Sequence, residues 1–263
     1  MLAAEFTLAE LMIVAVADAF RGNGEVLAFG AGVIPRLGAS LAKLTHTPEL
    51  LMTDSEAYLV EQPVPLGRRK TEPHRSGYMS YSRVFDIVWS GRRHAMIGPL
   101  QIDRWGQSNL SGVGAYAKPK MAMLGMRGLP GNTISHMNSM FVPAHSKRVF
   151  VEGEVDIVGG VGYRAERWQP GQNRSSVAHH RIVTNLCVLD FDGPDHAMRV
   201  RSLYPGVSFA EVQDATGFPL LQTEAMQDFA APTTEALRVI AELDPHNLRS
   251  KQLKDNPPGR RSA

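Results

Sequence analysis

Between Leu8 and Ala19 the apolar residues Leu8, Leu11, Met12, Ala15, Val16 and Ala19 recur at steps of three and four, the period of one helix face. Thr7 and Glu10 form a capping-box pattern at its start, and Gly22 and Gly24 stop it. Glu25 to Phe29 then reads as a short buried strand. Pro35 opens a second helix ending near Thr45, with Leu37, Leu41 and Leu44 on one side. His46-Thr47-Pro48 breaks it, and Leu50 to Thr53 is the next strand. Strand, helix, strand in this order is a βαβ unit, which implies parallel strands and a right-handed crossover. Functional groups of such sheets gather at the carboxyl ends of strands. That brings Gly30, Gly32, Asp54, Ser55 and Glu56 to one rim.

The middle of the chain is less regular. Val84 to Trp89 and Ala95 to Ile102 read as strand or short helix, and Asp103 to Asn109 as a turn. The apolar run Met121 to Leu124 feeds a glycine-rich loop, Gly125 to Asn132. Ser139 to Val142 and Val155 to Val158 are strand candidates, the second ending in Gly159-Gly160-Val161-Gly162. Arg181 to Phe191 is one strand-like stretch, and Val200 to Leu203 leads into Tyr204-Pro205-Gly206. Ser208 with Glu211 is a second capping box, for a short helix ended by Gly217. Thr234 is expected to cap a helix from Glu235 to Leu243, stopped by Asp244-Pro245. The alternation predicts a single α/β domain over 1–250, built on an open, mostly parallel sheet flanked by helices, and a flexible tail over 251–263.

Composition narrows the partners. The chain has 263 residues, 43% of them hydrophobic, enough for a sizeable core. A net charge of +2 supplies no basic field for nucleic acid. The cluster Arg68-Arg69-Lys70 with His74-Arg75 reads as a solvated loop, or as a contact for a phosphate-rich ligand. Leu8 to Phe20 is too short for a membrane span and carries Glu10 and Asp18; it also lacks the basic flank and cleavage site of a signal peptide. The one cysteine, Cys187, lies in an apolar run and reads as a buried small side chain. A lone cysteine agrees with a reducing cytoplasm. Neither the nine histidines nor Cys187 has metal-ligand spacing. His179 and His180 are neighbours on a strand and point to opposite faces, and His136 and His145 read as core or surface residues. There is no Walker A pattern, and Gly30-Ala31-Gly32 lacks the third glycine of a dinucleotide fingerprint.

Several segments carry a resemblance together. They are Phe29-Gly30-Ala31-Gly32, Pro35 to Lys43, Leu50-Leu51-Met52-Thr53, Ser202-Leu203-Tyr204-Pro205-Gly206-Val207 and Thr216-Gly217-Phe218. In this order, over about Gly24 to Pro245, the chain resembles the β subunit of family I coenzyme A transferases, the glutaconate CoA-transferase type. The resemblance implies a nucleophilic glutamate, followed by Ser-Gly or Asn-Gly, at the tip of the second strand. Here the tip reads Thr53-Asp54-Ser55-Glu56-Ala57, and ungapped alignment from Gly38-Ala39-Ser40 puts Ser55 at the glutamate's place. A serine cannot form the acyl anhydride of the transferase reaction. Glu56, one residue along, points to the other face unless the tip bulges, and Asp54 is displaced in the other direction. Gly128-Leu129-Pro130-Gly131-Asn132-Thr133 resembles the family's Gly-Gly-Ala-Asn-Gly loop beside the acyl-CoA site, with Leu129 and Pro130 replacing small residues and Asn132 moved by one. Pro130 removes one backbone donor. Gln101-Ile102-Asp103 and Gly106-Gln107-Ser108-Asn109 resemble a further family segment; structural turn-holding roles are expected for Asp103 and Asn109.

A missing glutamate suits one branch of the family, the Ipd-type steroid ring-cleaving hydrolases of actinobacteria. What that resemblance implies is hydrolytic opening of the last steroid ring, carried as a CoA thioester of a cyclohexenone. The catalytic candidates are then Ser55 and Glu56, and the substrate-binding candidates Gly30, Gly32, Gly128, Gly131 and Asn132. No metal is expected, and no cofactor beyond the CoA that belongs to the substrate. The implied partner is an α subunit of similar fold in an α2β2 heterotetramer, with the active site between unlike subunits. Two alternatives stay open: a CoA transferase using Glu56, and a non-catalytic scaffold subunit.

Overall fold

The computed structural model describes residues 5–55, 57–67, 72–123, 125 and 128–253, apart from the side chains of 224 and 225. Glu56, the Arg68-Arg69-Lys70 cluster and most of the expected tail lie outside the described residues. The chain forms two compact units, Met1–Met96 with Ala230–Ala263, and Ile97–Phe229. Its helices in chain order are α1 (Leu8–Ala19), α2 (Val33–Thr45), α3 (Tyr81–Trp89), α4 (Leu129–Ser135), α5 (Phe209–Asp214) and α6 (Thr234–Leu243). The fourth and fifth belong to the second unit.

In the first unit α1 starts on the expected capping box: the Glu10 amide donates to Thr7 Oγ1 at 3.3 Å and the Thr7 amide to Glu10 Oε2 at 2.8 Å. Two of the four amides left open at a helix start are thereby satisfied. The helix is buried on most of its circumference. It meets α2 closely because Gly38 faces Val16, where a Cβ would overlap the valine side chain. The last helix, α6, is capped by Thr233, whose Oγ1 accepts from the Ala236 amide at 3.1 Å. This corrects the expected cap by one residue: Thr233 holds the extended backbone of a cap, and Thr234 is already helical.

Strand β1 (Leu27–Gly30) precedes α2, and Leu51 returns beside it in parallel, with the Ala28 amide donating to the Leu51 carbonyl at 2.9 Å. The βαβ reading holds that far. The chain then leaves β1, a correction to the full parallel strand expected over Leu50 to Thr53. Strand β2 (Met52–Thr53) pairs antiparallel with β3 (Tyr58–Val60), and β3 antiparallel with β4 (Arg75–Tyr78). A turn at Asp54 folds the chain back and gives β2 a new neighbour. The ambiguous Val84 to Trp89 stretch is helix α3, of which Val88 alone is buried; Tyr81, Phe85 and Trp89 are exposed. Strand β5 (Arg93–Ile97) lies parallel to β1, with Leu27 opposite Arg93 and Gly30 opposite Met96.

The second unit begins with two small hairpins, β6 (Gln101–Ile102) with β7 (Ser108–Asn109) and β8 (Gly112–Val113) with β9 (Met121–Ala122). Its larger sheet has the order β10 (Met137–Val142), β11 (His179–Thr184), β12 (Cys187–Asp190), β13 (Arg199–Leu203) and β14 (Leu221–Asp228). The pairs β10–β11 and β13–β14 are parallel, and β12 runs antiparallel to both its neighbours. With β1–β5, three of these five pairings are parallel, giving a mixed, mostly parallel α/β fold flanked by helices.

Two further expectations are corrected here. Arg181 to Phe191 is two strands, because Thr184 Oγ1 accepts from the Leu186 and Cys187 amides, at 3.1 and 3.0 Å, and turns the chain. Val155 to Val158 forms no strand: the Val155 amide reaches Asp103 Oδ2 at 3.4 Å and the Asp156 amide Gln101 Oε1 at 3.1 Å. Its donors are thus taken by side chains rather than by a ladder. Among the described residues no helix is long and apolar enough to cross a membrane.

Candidate functional site

The expected site residues fall in both units, and each group has its own local reason. At the end of β1, the Ala31 amide extends the ladder to the Met96 carbonyl at 3.0 Å. Gly30 lies against the backbone of Pro35, where a Cβ has no room. Gly32 has φ of +107° and forms the N-cap of α2 with no side chain to close it. A close approach and a left-handed backbone are the two conditions that select glycine.

The tip between β2 and β3 is built around Asp54, whose side chain is turned into the hairpin and fully buried. Its amide donates to the Tyr58 carbonyl at 2.8 Å, and its Oδ1 accepts from the Tyr58 amide at 3.2 Å. Its Oδ2 lies 3.6 Å from Arg75 Nε on β4. Ser55 follows with φ of 70° and an exposed side chain, its amide 3.4 Å from Thr53 Oγ1. The inward carboxylate removes Asp54 as a displaced nucleophile.

In the second unit, Gly128 takes the left-handed conformation at φ 85° and caps α4. The expected glycine-rich loop is corrected to a helix from Leu129 onward, with Pro130 in the first turn where its missing N–H costs nothing. Gly131 and Asn132 are therefore helical residues. The Asn132 amide donates to the Gly128 carbonyl at 3.0 Å, and the Asn132 carbonyl accepts from Asn138 Nδ2 at 2.9 Å. Gly160 sits against Ser108 and close to Thr133 of α4. The run Gly159 to Gly162 is the sequence signal of that tight packing, although the pattern alone does not reveal its role.

The β6–β7 hairpin bears out the structural reading of Asp103 and Asn109. Fully buried, Asp103 accepts from the amides of Trp105 at 3.0 Å and Gln107 at 3.1 Å, and from Gln107 Nε2 at 2.6 Å. Burial nevertheless outweighs these bonds and pushes its carboxyl above the ordinary carboxylate value. Asn109 Oδ1 accepts from the Ser111 amide at 2.9 Å while its Nδ2 donates to Gln101 Oε1 at 2.7 Å. Asp103 and Asn109 are tied into the turn.

The histidines near these segments are core residues. His145 lies between Thr184 Oγ1 at 3.2 Å and Thr216 Oγ1 at 2.9 Å, stacked on Phe150, and burial pushes its pKa down to about 4. Burial likewise pushes His179 down to about 4, against the pull of the Gly106 and Val161 backbone. His136 is buried too. Burial drives the Cys187 thiol up to about 12, so it is no nucleophile. Among the described residues no three histidine, cysteine or carboxylate side chains gather as a metal site.

No protein-family model matches the chain. Individual proteins do. The cholesterol ring-cleaving hydrolase IpdB subunit of Mycobacterium tuberculosis is 41% identical over 250 residues, 94% of this chain and 99% of that one. A chain in the crystal structure of Rhodococcus jostii RHA1 IpdAB is 43% identical and superposes with a TM-score of 0.88, covering 95% of this chain and 100% of its own length. The second of the glutaconate CoA-transferase subunits of Acidaminococcus fermentans is 27% identical over 91% of this chain and 93% of its own. Near-complete coverage of both partners at the higher identity means the whole fold is shared, not one motif. The chain therefore belongs to the family of cholesterol ring-cleaving hydrolase IpdB subunits, within the wider group of CoA-transferase-like β subunits.

Proposed function

We propose that this chain is the β-type subunit of a heteromeric hydrolase that opens the last steroid ring of a cyclohexenone carried as a CoA thioester. It would serve steroid or cholesterol breakdown in the cytoplasm, paired with an α subunit of similar fold in an α2β2 assembly. The observation that carries this reading is near full-length identity to IpdB subunits, combined with Ser55 at the tip where a transferase needs glutamate. Fold and assembly are kept while the group that defines acyl transfer is absent at its place.

The chemistry fits what remains. Water adds to the enone, and a carbon–carbon bond beside a β-keto thioester then breaks. The hydroxyl of water ends on the ring carbonyl carbon, which becomes a carboxylate. The electron pair of the broken bond passes to the thioester enolate, which takes up a proton. These steps need a general base and donors for an enolate oxygen, not a covalent glutamyl thioester. The exposed Ser55 hydroxyl supplies a polar group at the rim, with Gly30 and Gly32 keeping the adjacent backbone slim. Gly128, Gly131 and Asn132 are assigned to the acyl-CoA wall. The base comes from the α-type partner, or from Glu56 beside Ser55. No separate cofactor enters, since CoA arrives with the substrate.

The test is the purified heteromer with a ring-bearing CoA thioester of this class. Ring opening with uptake of one water is expected. Absence of ring opening, or a glutamyl thioester trapped by hydroxylamine or borohydride, would overturn the reading, the latter in favour of a transferase using Glu56. Ser55 and Asn132 substitutions that leave rate and affinity unchanged would assign the chain to scaffolding alone.

A further inference from the structure

Among the described residues Ser55 is one of four non-glycine residues with positive φ, and the other three lie at Asp195, His196 and Asn247. In this region the Cβ crowds the following carbonyl, so the conformation is uphill for serine and persists only where its surroundings impose it. A tight hairpin can be closed without strain by Asn-Gly or Asp-Gly. This one is closed instead by a serine whose neighbours form a clamp.

The clamp crosses three strands. Asp54, leaving β2, exchanges backbone bonds with Tyr58 of β3 and offers Oδ1 to the Tyr58 amide. Arg75 of β4 brings Nε to 3.6 Å from Asp54 Oδ2 and lays its guanidinium 4.3 Å from the centre of the Tyr58 ring. It also meets Glu72 Oε2 at 3.3 Å. The Tyr58 ring in turn tilts against Tyr78 at 5.3 Å. The Asp54 side chain is fully buried, whereas 36% of the Arg75 side chain is exposed. Burying a carboxylate at the end of strands two and three residues long costs desolvation and adds no apolar core. What it does achieve is a fixed turn at Ser55.

We infer that Asp54 and Arg75 are positioning residues that hold Ser55 in its left-handed conformation, so that the tip meets the acyl group of the substrate in one geometry. The inference rests on the reading of Ser55 as a pocket residue given above. Neither Asp54 nor Arg75 touches the reacting atoms; both act through the backbone of Ser55. Glycine adopts the left-handed conformation freely. The clamp therefore matters only while residue 55 carries a Cβ.

A double-mutant cycle in the heteromer tests this, with Asp54→Ala, Ser55→Gly and the two combined. In the parent background Asp54→Ala is expected to lower kcat about tenfold with KM shifted less than about threefold; in the Ser55→Gly background the same change lowers kcat less than about threefold. Arg75→Gln follows Asp54→Ala, and Arg75→Lys recovers part of the loss. If Asp54→Ala prevents assembly, Asp54→Asn takes its place in the cycle, since it keeps the acceptor for Tyr58 and loses only the charge. Equal losses in both backgrounds overturn the inference. Amide hydrogen exchange over residues 52–60 reads the same cycle without substrate: faster exchange on Asp54→Ala is expected in the parent and a smaller rise in the Ser55→Gly background. If the parent heteromer opens no ring, the proposed function fails, and the exchange cycle alone decides the clamp.

Discussion

Gly38 shows what a single atom decides in this molecule. A methyl there would overlap Val16 and crowd the Ile13 carbonyl, so α1 and α2 approach through the absence of a side chain. Gly38→Ala is expected to destabilise the first unit by about 1–3 kcal/mol, the range for an overpacked core, read as a lowered urea midpoint. His145 and His179 make a second prediction. Both have folded values near 4, below the ordinary unfolded value of about 6.5. As pH falls, the unfolded chain takes up these protons first. Stability is thus complete above about pH 6.5 and is lost between about 6.5 and 4, at about 1.4 kcal/mol per pH unit for each histidine. Urea midpoints measured from pH 7.5 to 4.5 should fall along that window, and His145→Gln should flatten the slope. A flat profile in the parent would contradict neutral burial. Cys187, with its thiol pushed up to about 12, should resist a thiol reagent at pH 8 until the chain is unfolded.

At the scale of elements, helices are legible in the sequence and strand ends are not. The Thr7 capping box and the glycines after α1 are local signals, and α1 runs where they place it. Thr7→Ala should cost about 1 kcal/mol, measured in the same unfolding assay, because it opens an amide at the helix start. Strands depend on partners distant in sequence, so an apolar run alone does not say where it turns. Arg181 to Phe191 turns at Thr184, through a side-chain hydroxyl rather than a glycine or proline. Strand β14, the polar Leu221–Asp228, carries no apolar signal; its pairing with β13 is what makes it a strand. The Gly128 to Thr133 segment reads as a loop because glycine and proline dominate it, yet Gly128 and Pro130 are in the positions that start a helix. For the candidate site, Gly30 and Gly32 are legible as rim residues. The inward turn of Asp54 is not, since Arg75 reaches it from twenty-one positions away in the sequence.

For the whole molecule, the family relation carries the heteromer and the ring-cleaving chemistry together. The solved relative is the IpdAB complex, and this chain matches one of its chains over its full length. Half of a shared active site should be inert, so this chain alone should open no ring, and activity should appear on mixing with its α-type partner. The most direct test is a product analysis of that reconstituted heteromer with the cyclohexenone CoA thioester in ¹⁸O-labelled water. The account predicts a ring-opened CoA thioester with one labelled oxygen in a new carboxylate. An intact ring, with CoA passed to an added carboxylic acid through an enzyme-bound glutamyl thioester, would contradict it.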